Sequence, residues 1–153
     1  DNGVLEGLNR TKLSGRMELI CQDPRILIDG AHNPTSMEAL IKTIGQHVIY
    51  DSMVVIFGCA ADKDVDGMMD QIALGADKVI FTKNGSIRSA DPEELALRFE
   101  ERTGRMAQWA SDVGEAIRTA ASVATRGDLI CITGSFYLAG EAKKHLIDRG
   151  LMK

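Results

Sequence analysis

The sequence lacks the short glycine-containing motifs that mark the commonest nucleotide and hydrolase sites. It has no Gly-x-x-x-x-Gly-Lys-Ser/Thr loop and no Gly-x-Gly-x-x-Gly fingerprint, so neither common phosphate-binding turn is built here. A Gly-x-Ser-x-Gly pattern is missing too. The histidines, His32, His47 and His145, have no metal-ligand spacing, and we expect no metal site. We therefore expect no self-sufficient catalytic apparatus in this chain.

Long apolar runs are also missing, since none approaches the roughly 20 residues that span a bilayer. The first residues have neither a basic region nor an apolar stretch, which predicts no signal peptide, no membrane partner and, by default, a cytoplasmic protein. The net charge is −4 and the basic residues are scattered, which argues against nucleic acid. The three cysteines have no Cys-x-x-Cys spacing, and we expect Cys21, Cys59 and Cys131 to be buried, reduced and structural.

The 153 residues contain short apolar runs that alternate with amphipathic segments, as in a single domain. The apolar runs predict strands at residues 17–22, 25–29, 53–57, 78–82, 106–110 and 129–132, the first two as a hairpin. Helical periodicity predicts helices that begin near Pro34, Val65, Pro92, Val113 and Phe136. This alternation indicates right-handed βαβ units. The predicted fold is an α/β, Rossmann-like three-layer sandwich, with a mostly parallel sheet of about six strands and helices on both faces.

Residues 29–34 form a polar turn between a buried strand and a helix that Asn33 would cap and Pro34 would begin. Ligands of parallel α/β sheets bind outside the carboxyl ends of strands, and a helix N-terminus attracts anions. Asp29 could therefore accept hydrogen bonds from a ribose or an adenine, and His32 could donate one to a carboxylate or phosphate. The alternatives are that Asp29 only caps the turn through an Asx bond and that His32 is a solvated loop residue.

Two other turns and one isolated cation supply further candidates. Gly134 would let a ligand approach the backbone, and Ser135 offers a hydroxyl, although Ser135 could also be a simple helix cap. Lys63 and Asp64 could approach a phosphate or substrate, or be solvated charges at a helix start. Arg16 precedes the first strand, where it could be a surface cation or a charge aimed across a domain boundary.

Residues 29–34, Asp-Gly-Ala-His-Asn-Pro, resemble the signature of the C-terminal domains of folylpolyglutamate synthases and dihydrofolate synthases in the Mur ligase superfamily. Residues 14–18, 58–64, 90–94 and 133–140 match the same family in kind and order. The resemblance covers nearly the whole chain. One departure is that the family often has Trp-Pro before Gly-Arg, whereas Leu13 and Ser14 stand here, which bears on the packing of the linker.

The resemblance implies that residues 1–15 are a linker remnant and residues 16–153 a Mur-ligase-type C-terminal domain, with the N-terminal ATPase domain as its partner outside this chain. It implies an ATP-dependent ligase that adds L-glutamate to folate or dihydropteroate through an acyl phosphate, with Mg ligands in the N-terminal domain. The isolated domain would be inactive. By motif, ATP would be contacted by Arg16 and Asp29. Glutamate would be held by His32, Gly134 and Ser135, with Asn33, Lys63 and Asp64 as further candidates.

Two other functions stay open from the sequence. One is a Mur-type ligase domain that adds an amino acid to a peptidoglycan precursor. The other is a stand-alone module that binds a nucleotide or an amino acid without chemistry.

Overall fold

The structure, a computed structural model, describes residues 17–22 and 24–150, so the predicted linker and Arg16 lie outside the described residues. The strands are β1 (Glu18–Gln22), β2 (Arg25–Ile28), β3 (Met53–Phe57), β4 (Lys78–Phe81), β5 (Gln108–Trp109) and β6 (Leu129–Thr133). The helices are α1 (Pro34–His47), α2 (Val65–Gly75), α3 (Pro92–Thr103), α4 (Val113–Val123) and α5 (Phe136–Asp148). Each predicted helix starts where the sequence places it.

The strands form one six-stranded sheet in the order β1-β2-β6-β3-β4-β5. The β1–β2 pair is an antiparallel hairpin, and every other neighbouring pair is parallel. The central strands β3 and β6 are buried at every position. Strands covered by helices on both faces need continuous apolar runs, which is why these two segments show no polar alternation.

Two clusters of buried side chains fill the space on either side of the sheet. One cluster joins α1, α2 and α3 to the sheet through residues that include Met37, Met68 and Phe99. The other joins α4 and α5 to the opposite face through residues that include Ile117 and Leu146. The predicted α/β three-layer sandwich is therefore confirmed.

The chain changes to the other face of the sheet after β5. The helices that follow β2, β3 and β4 pack on one face of the sheet, whereas α4, which follows β5, and α5, which follows β6, pack on the other. Because β6 lies between β2 and β3, the chain leaves neighbouring strands toward opposite faces at their carboxyl ends. Such a switch point opens a crevice in which doubly wound α/β proteins bind ligands.

Polar side chains fix the helix starts at this carboxyl edge. Asn33 caps α1 by accepting a 2.8 Å hydrogen bond from the Ser36 backbone N–H, and the Ser36 side chain completes a capping box. Asp64 and Ser135 accept equivalent bonds at the starts of α2 and α5. Such capping residues accept hydrogen bonds from the backbone N–H groups at a helix start, which have no partner within the helix.

Some strand boundaries differ from the sequence prediction. The strand expected at residues 106–110 pairs with β4 only at Gln108 and Trp109. Just before it, the Arg105 guanidinium donates to the Ala73 and Ala76 carbonyl oxygens at the end of α2. These bonds hold the segment before β5 against the end of α2, and pairing with β4 begins only at Gln108. At the other boundary, Thr133 belongs to β6 rather than to its exit turn.

All three cysteines are buried, and none forms a disulfide within the described residues, in agreement with the sequence prediction of structural thiols. Burial raises the pKa of the Cys59 thiol to about 11. A thiol with a raised pKa carries little thiolate near neutral pH and is a poor nucleophile. No helix in residues 17–22 and 24–150 has both the length and the apolar character of a membrane span.

Candidate functional site

A cleft of about 310 Å³ opens at the carboxyl edge of the sheet, beside the exit of β6. Its walls come from four turns, each of which follows a parallel strand. His32 comes from the β2–α1 turn, Lys63 from the β3–α2 turn, Arg88 from the β4–α3 turn and Ser135 from the β6–α5 turn. The cleft therefore occupies the crevice that the switch point creates.

Gly134 has a backbone that only glycine adopts without strain. Its φ angle is +117°, and a Cβ there would collide with the Gly58 carbonyl oxygen and lie 3.0 Å from the Phe57 ring. The exit of β6 thus packs directly on the exit of β3. Gly134 lines the cleft, as expected, because no side chain stands between its backbone and the cavity.

Ser135 combines the two roles that the sequence analysis left open. Its Oγ accepts a 2.9 Å hydrogen bond from the Leu138 backbone N–H and so caps α5. A hydroxyl that accepts one bond still has its own proton to donate. Ser135 also lines the cleft, so this proton and the positive end of the α5 dipole are both available to an anion.

His32 is held in one orientation rather than freely solvated. Its Nδ1 lies 3.0 Å from the Gly30 carbonyl oxygen, and its ring packs 5.3 Å from the Phe136 ring. A carbonyl oxygen can only accept, so the proton sits on Nδ1. Nε2 is then left to accept a hydrogen bond, or to donate one when the imidazole is charged.

Asp29 has a structural role that the sequence analysis gave as the alternative. The residue is 5% exposed. Its Oδ2 accepts an Asx-type bond of 2.7 Å from the Ala31 N–H, and its Oδ1 accepts a 2.8 Å bond from the Met17 N–H. The carboxylate thus ties the start of β1 to the turn after β2. Asp29 does not line the cleft, and neither do the capping residues Asn33 and Asp64.

The β4–α3 turn forms a further wall of the cleft, and none of its cleft-lining residues is among the candidates from the sequence. It contributes Asn84, Ser86, Arg88 and Ser89. Two backbone hydrogen bonds of 2.8 Å join this turn to the β3–α2 turn, from residue 61 to 88 and from residue 90 to 59. A polar turn after a parallel strand marks a candidate ligand-binding turn, but it does not show that this turn lies beside the exit of β6.

The electrostatics of the cleft favour an anion. Lys63 and Arg88 line it from adjoining turns, and neither side chain has a hydrogen bond or an ion pair within residues 17–22 and 24–150. Asp62 is the acidic residue among the lining side chains. Two cations, an oriented histidine and a helix N-terminus suit a carboxylate or a phosphate. Fold and cleft together define an α/β domain whose cation-lined cleft, at the switch point of the sheet, suits an anionic ligand.

Comparison with known sequences identifies the family. A sequence model of the family described as "Mur ligase, glutamate ligase domain" matches residues 15–136. The dihydrofolate synthase/folylpolyglutamate synthase of Mycobacterium tuberculosis is 33% identical, a match that covers 93% of this chain and 32% of that protein. The UDP-N-acetylmuramoyl-L-alanyl-D-glutamate–2,6-diaminopimelate ligase of Clostridioides difficile is 29% identical and is covered to 32%.

Solved structures show the same relationship. The Mycobacterium tuberculosis folylpolyglutamate synthase complexed with ADP has a TM-score of 0.79 at 36% identity, over 85% of this chain and 31% of that one. A bifunctional folylpolyglutamate synthase/dihydrofolate synthase with Mn, AMPPNP and L-glutamate bound has a TM-score of 0.78 at 26% identity, over 93% of this chain and 34% of that one. The chain belongs to the glutamate ligase domain family of the Mur ligases. It spans about a third of the length of each of the two curated relatives described above.

Proposed function

We propose that this chain is the C-terminal domain of an ATP-dependent ligase that adds L-glutamate to folate or dihydropteroate. The observation that supports this most directly is the convergence of His32, Gly134 and Ser135 on one cation-lined cleft. Glutamate carries two carboxylates, which suit such a cleft. The relative that was solved with L-glutamate bound has the same fold. The N-terminal ATPase domain would be the partner, and the complete ligase would work in the cytoplasm.

The described residues would bind and orient the incoming amino acid. A glutamate carboxylate would accept hydrogen bonds from the Ser135 hydroxyl and from the N-terminus of α5, while Gly134 lets it approach the backbone. His32 Nε2 would accept from the amine when neutral, or donate to a carboxylate when charged. Lys63 would balance the remaining negative charge. Holding the amine in line with its electrophile is catalysis by positioning, and it needs no acid or base resident in this domain.

The family motifs offer residues that would contact ATP, but the described residues offer no cluster for a metal ion. When bound, ATP supplies the phosphoryl group that activates the acceptor carboxyl group. By motif, Arg16 and Asp29 are the residues that would contact ATP. Residues 17–22 and 24–150 hold no cluster of three or more His, Cys, Asp or Glu side chains that fits a metal ion. The family resemblance implies that the Mg ligands lie in the N-terminal domain, and we propose the same for this ligase.

A pair of histidine substitutions in the complete ligase tests the proposal. His32→Ala should lower kcat/KM for L-glutamate by about a hundredfold or more, because it removes an oriented ligand of the substrate. His47→Ala, at the exposed end of α1, is the matched control and should leave the rate unchanged. The measurement is ATP-dependent incorporation of labelled glutamate into dihydropteroate or folate. Equal rates for the two variants would contradict the assignment of the cleft.

A second candidate function is supported by the similarity to the Clostridioides difficile ligase. In that case the complete enzyme would extend a UDP-muramoyl peptide instead of a folate. An ATP-hydrolysis assay with dihydropteroate or folate and L-glutamate in one arm, and a UDP-muramoyl dipeptide with diaminopimelate in the other, separates the two functions. The stand-alone binding module is tested by the coding region, since a phosphate loop upstream in the same reading frame supports a ligase.

A further inference from the structure

Thr133, the last residue of β6, carries a fully buried hydroxyl that has no hydrogen-bond partner. Among residues 17–22 and 24–150, its Oγ1 is the one buried side-chain polar atom left without a partner. An unpaired buried hydroxyl costs free energy, and a valine of nearly the same shape would fill the space without that cost. Folded proteins keep few such groups, and each calls for a physical explanation. The fold alone therefore does not explain why a hydroxyl stands here.

A second buried threonine shows what a structural hydroxyl does at the same edge of the sheet. Thr82 directly follows β4 and is as fully buried as Thr133. Its Oγ1 donates a 3.1 Å hydrogen bond to the Ala110 carbonyl oxygen, which follows β5. The Thr82 hydroxyl thus joins the ends of two neighbouring strands. The Thr133 hydroxyl makes no such bond to either of its neighbouring strands, β2 and β3.

The neighbour of Thr133 across the sheet is Asp29. The Asp29 backbone N–H donates a 3.0 Å hydrogen bond to the Ile132 carbonyl oxygen, which continues the parallel β2–β6 pairing by one residue and sets Asp29 beside Thr133. Side chains alternate between the two faces of a sheet, and Leu27 and Cys131, two residues earlier, both face α1. Burial raises the pKa of the Cys131 thiol, and the Asp29 carboxylate raises it further, as expected for a carboxylate on this face of β6.

The bonds that now hold the Asp29 carboxylate include one to a strained residue. Oδ2 accepts from the Ala31 N–H inside the turn, and Oδ1 accepts from the Met17 N–H. Met17 has a φ angle of +38°, in the left-handed region that a residue with a side chain rarely adopts. A nucleotide hydroxyl that donated to Asp29 would compete with the Met17 N–H, and the loss of that bond would allow Met17 to relax.

We propose that Thr133 is a positioning residue, whose hydroxyl donates to the Asp29 carboxylate when that carboxylate exchanges the Met17 N–H for a hydroxyl of the bound nucleotide. This inference rests on the proposed function, because it takes Asp29 as a contact of ATP. The hydroxyl and the methyl group of threonine are similar in size, so rotation about Cα–Cβ can turn the hydroxyl towards β2 without opening a cavity. A hydrogen bond to a carboxylate is among the stronger kinds. Thr133 does not line the cleft and touches no substrate itself.

Thr133→Val in the complete ligase tests the inference, because it removes the hydroxyl and nearly keeps the shape. The KM for ATP should rise by about tenfold, with the KM for L-glutamate within about twofold. The midpoint of urea unfolding should not fall, because the unliganded protein loses no hydrogen bond. Thr133→Ser keeps the hydroxyl and should have a KM for ATP within about twofold of wild type. If the valine variant does not fold, Thr133→Ala gives the same comparison of KM values.

Thr82→Val is the matched control, at a threonine that is equally buried but already bonded. It should lower the urea midpoint, because it removes the bond to the Ala110 carbonyl oxygen, and leave the KM for ATP unchanged. Two results for Thr133→Val would overturn the inference. One is an unchanged KM for ATP, and the other is a urea midpoint lowered as far as in Thr82→Val, which would show that the hydroxyl has a structural partner.

Asp29→Asn separates this inference from the proposed function. If Thr133 acts through Asp29, Thr133→Val should add little to the rise in the KM for ATP that Asp29→Asn causes alone, whereas additive effects of the two changes would overturn the inference. An unchanged KM for ATP in Asp29→Asn would contradict the ATP contact in the proposed function, and the inference with it. A raised KM in Asp29→Asn beside a wild-type KM in Thr133→Val would overturn the inference alone.

Discussion

The two edges of the sheet treat their polar groups in opposite ways. At the amino edge, the charged side chains that precede the strands bond to the protein itself. Arg25 donates to the Ile49 and Gly127 carbonyl oxygens, and Asp77 accepts from the Met53 N–H. At the carboxyl edge, Lys63, Arg88 and the Asn84 nitrogen make no such bonds within the described residues. One edge uses its polar groups for stability, and the other keeps them available for a ligand.

This contrast explains why a stable α/β domain can carry a binding site at little cost. Burying an unpaired polar group is expensive, so a cleft that keeps free donors has to leave them near solvent or fix them through neighbouring bonds. Lys63 and Arg88 take the first course, because both are exposed. Asn84 takes the second, because its oxygen is fully used while its nitrogen remains free. Substitutions at the two edges should therefore separate stability from binding.

The largest effect should come from Gly134→Ala. Although Gly134 lies at the carboxyl edge, this substitution should lower both the stability of the fold and the binding of the ligand. An alanine Cβ would collide with the Gly58 carbonyl oxygen at a φ angle of +117°. We expect a loss of about 3 kcal/mol in the free energy of unfolding, together with loss of glutamate ligation. Gly140→Ala, on α5 with open space around it, is the matched control. It should stabilise the protein by about 0.5–1 kcal/mol in urea titrations and leave the rate unchanged.

The next largest effect is expected at the amino edge, from Asp128→Ala. The Asp128 carboxylate is 8% exposed and accepts bonds from the Ser52 hydroxyl and the Thr125 backbone N–H. Its removal leaves both donors unpaired and should cost about 2 kcal/mol, measured by urea unfolding. The KM for L-glutamate should not change. A rise in that KM would mean that the two edges are not independent. Asp62→Ala, at the exposed cleft, should cost less than about 0.5 kcal/mol.

Glu141→Ala should have a smaller effect, and it should change the KM for glutamate rather than the stability. This change removes the acceptor of the Gly85 N–H and so releases one flank of the β4–α3 turn. Because the bond is exposed, the stability change should be below about 1 kcal/mol. The KM for glutamate should rise severalfold, since the turn no longer holds Asn84 and Arg88 in place. Glu141→Gln keeps an acceptor oxygen and should restore the wild-type KM. Failure of glutamine to restore it would show that charge, and not the hydrogen bond, is what matters.

The sequence predicts the elements well because their signals are local. The helix starts at Asn33, Asp64 and Ser135 are visible as caps, and the buried strands as apolar runs. His32, Gly134 and Ser135 could be recognised because each directly follows a strand. The part that Asn84 and Arg88 play was missed for a different reason. Their proximity to the β6 exit depends on the strand order β6-β3-β4, which places the last strand in the middle of the sheet. No local pattern carries that information.

The smallest expected effect is a pH dependence of stability, which should be seen at the amino edge and not at the cleft. The backbone N–H of Thr125 and the Ser52 hydroxyl hold the pKa of the Asp128 carboxyl below its usual value, the Thr125 bond contributing most. A lowered pKa in the folded state means that this stability is present above about pH 4, the ordinary pKa of aspartate, and is lost as the pH falls through the folded value. The stability gap between wild type and Asp128→Asn should therefore narrow from pH 7 to pH 3 in urea titrations. Asp62→Asn at the cleft is the control, and its stability difference from wild type shows how much pH alone changes such a difference at an exposed carboxylate. A gap for Asp128→Asn that stayed constant over this range would show that the carboxylate is not stabilised by those bonds, and the contrast between the edges would then rest on the uncharged hydrogen bonds alone.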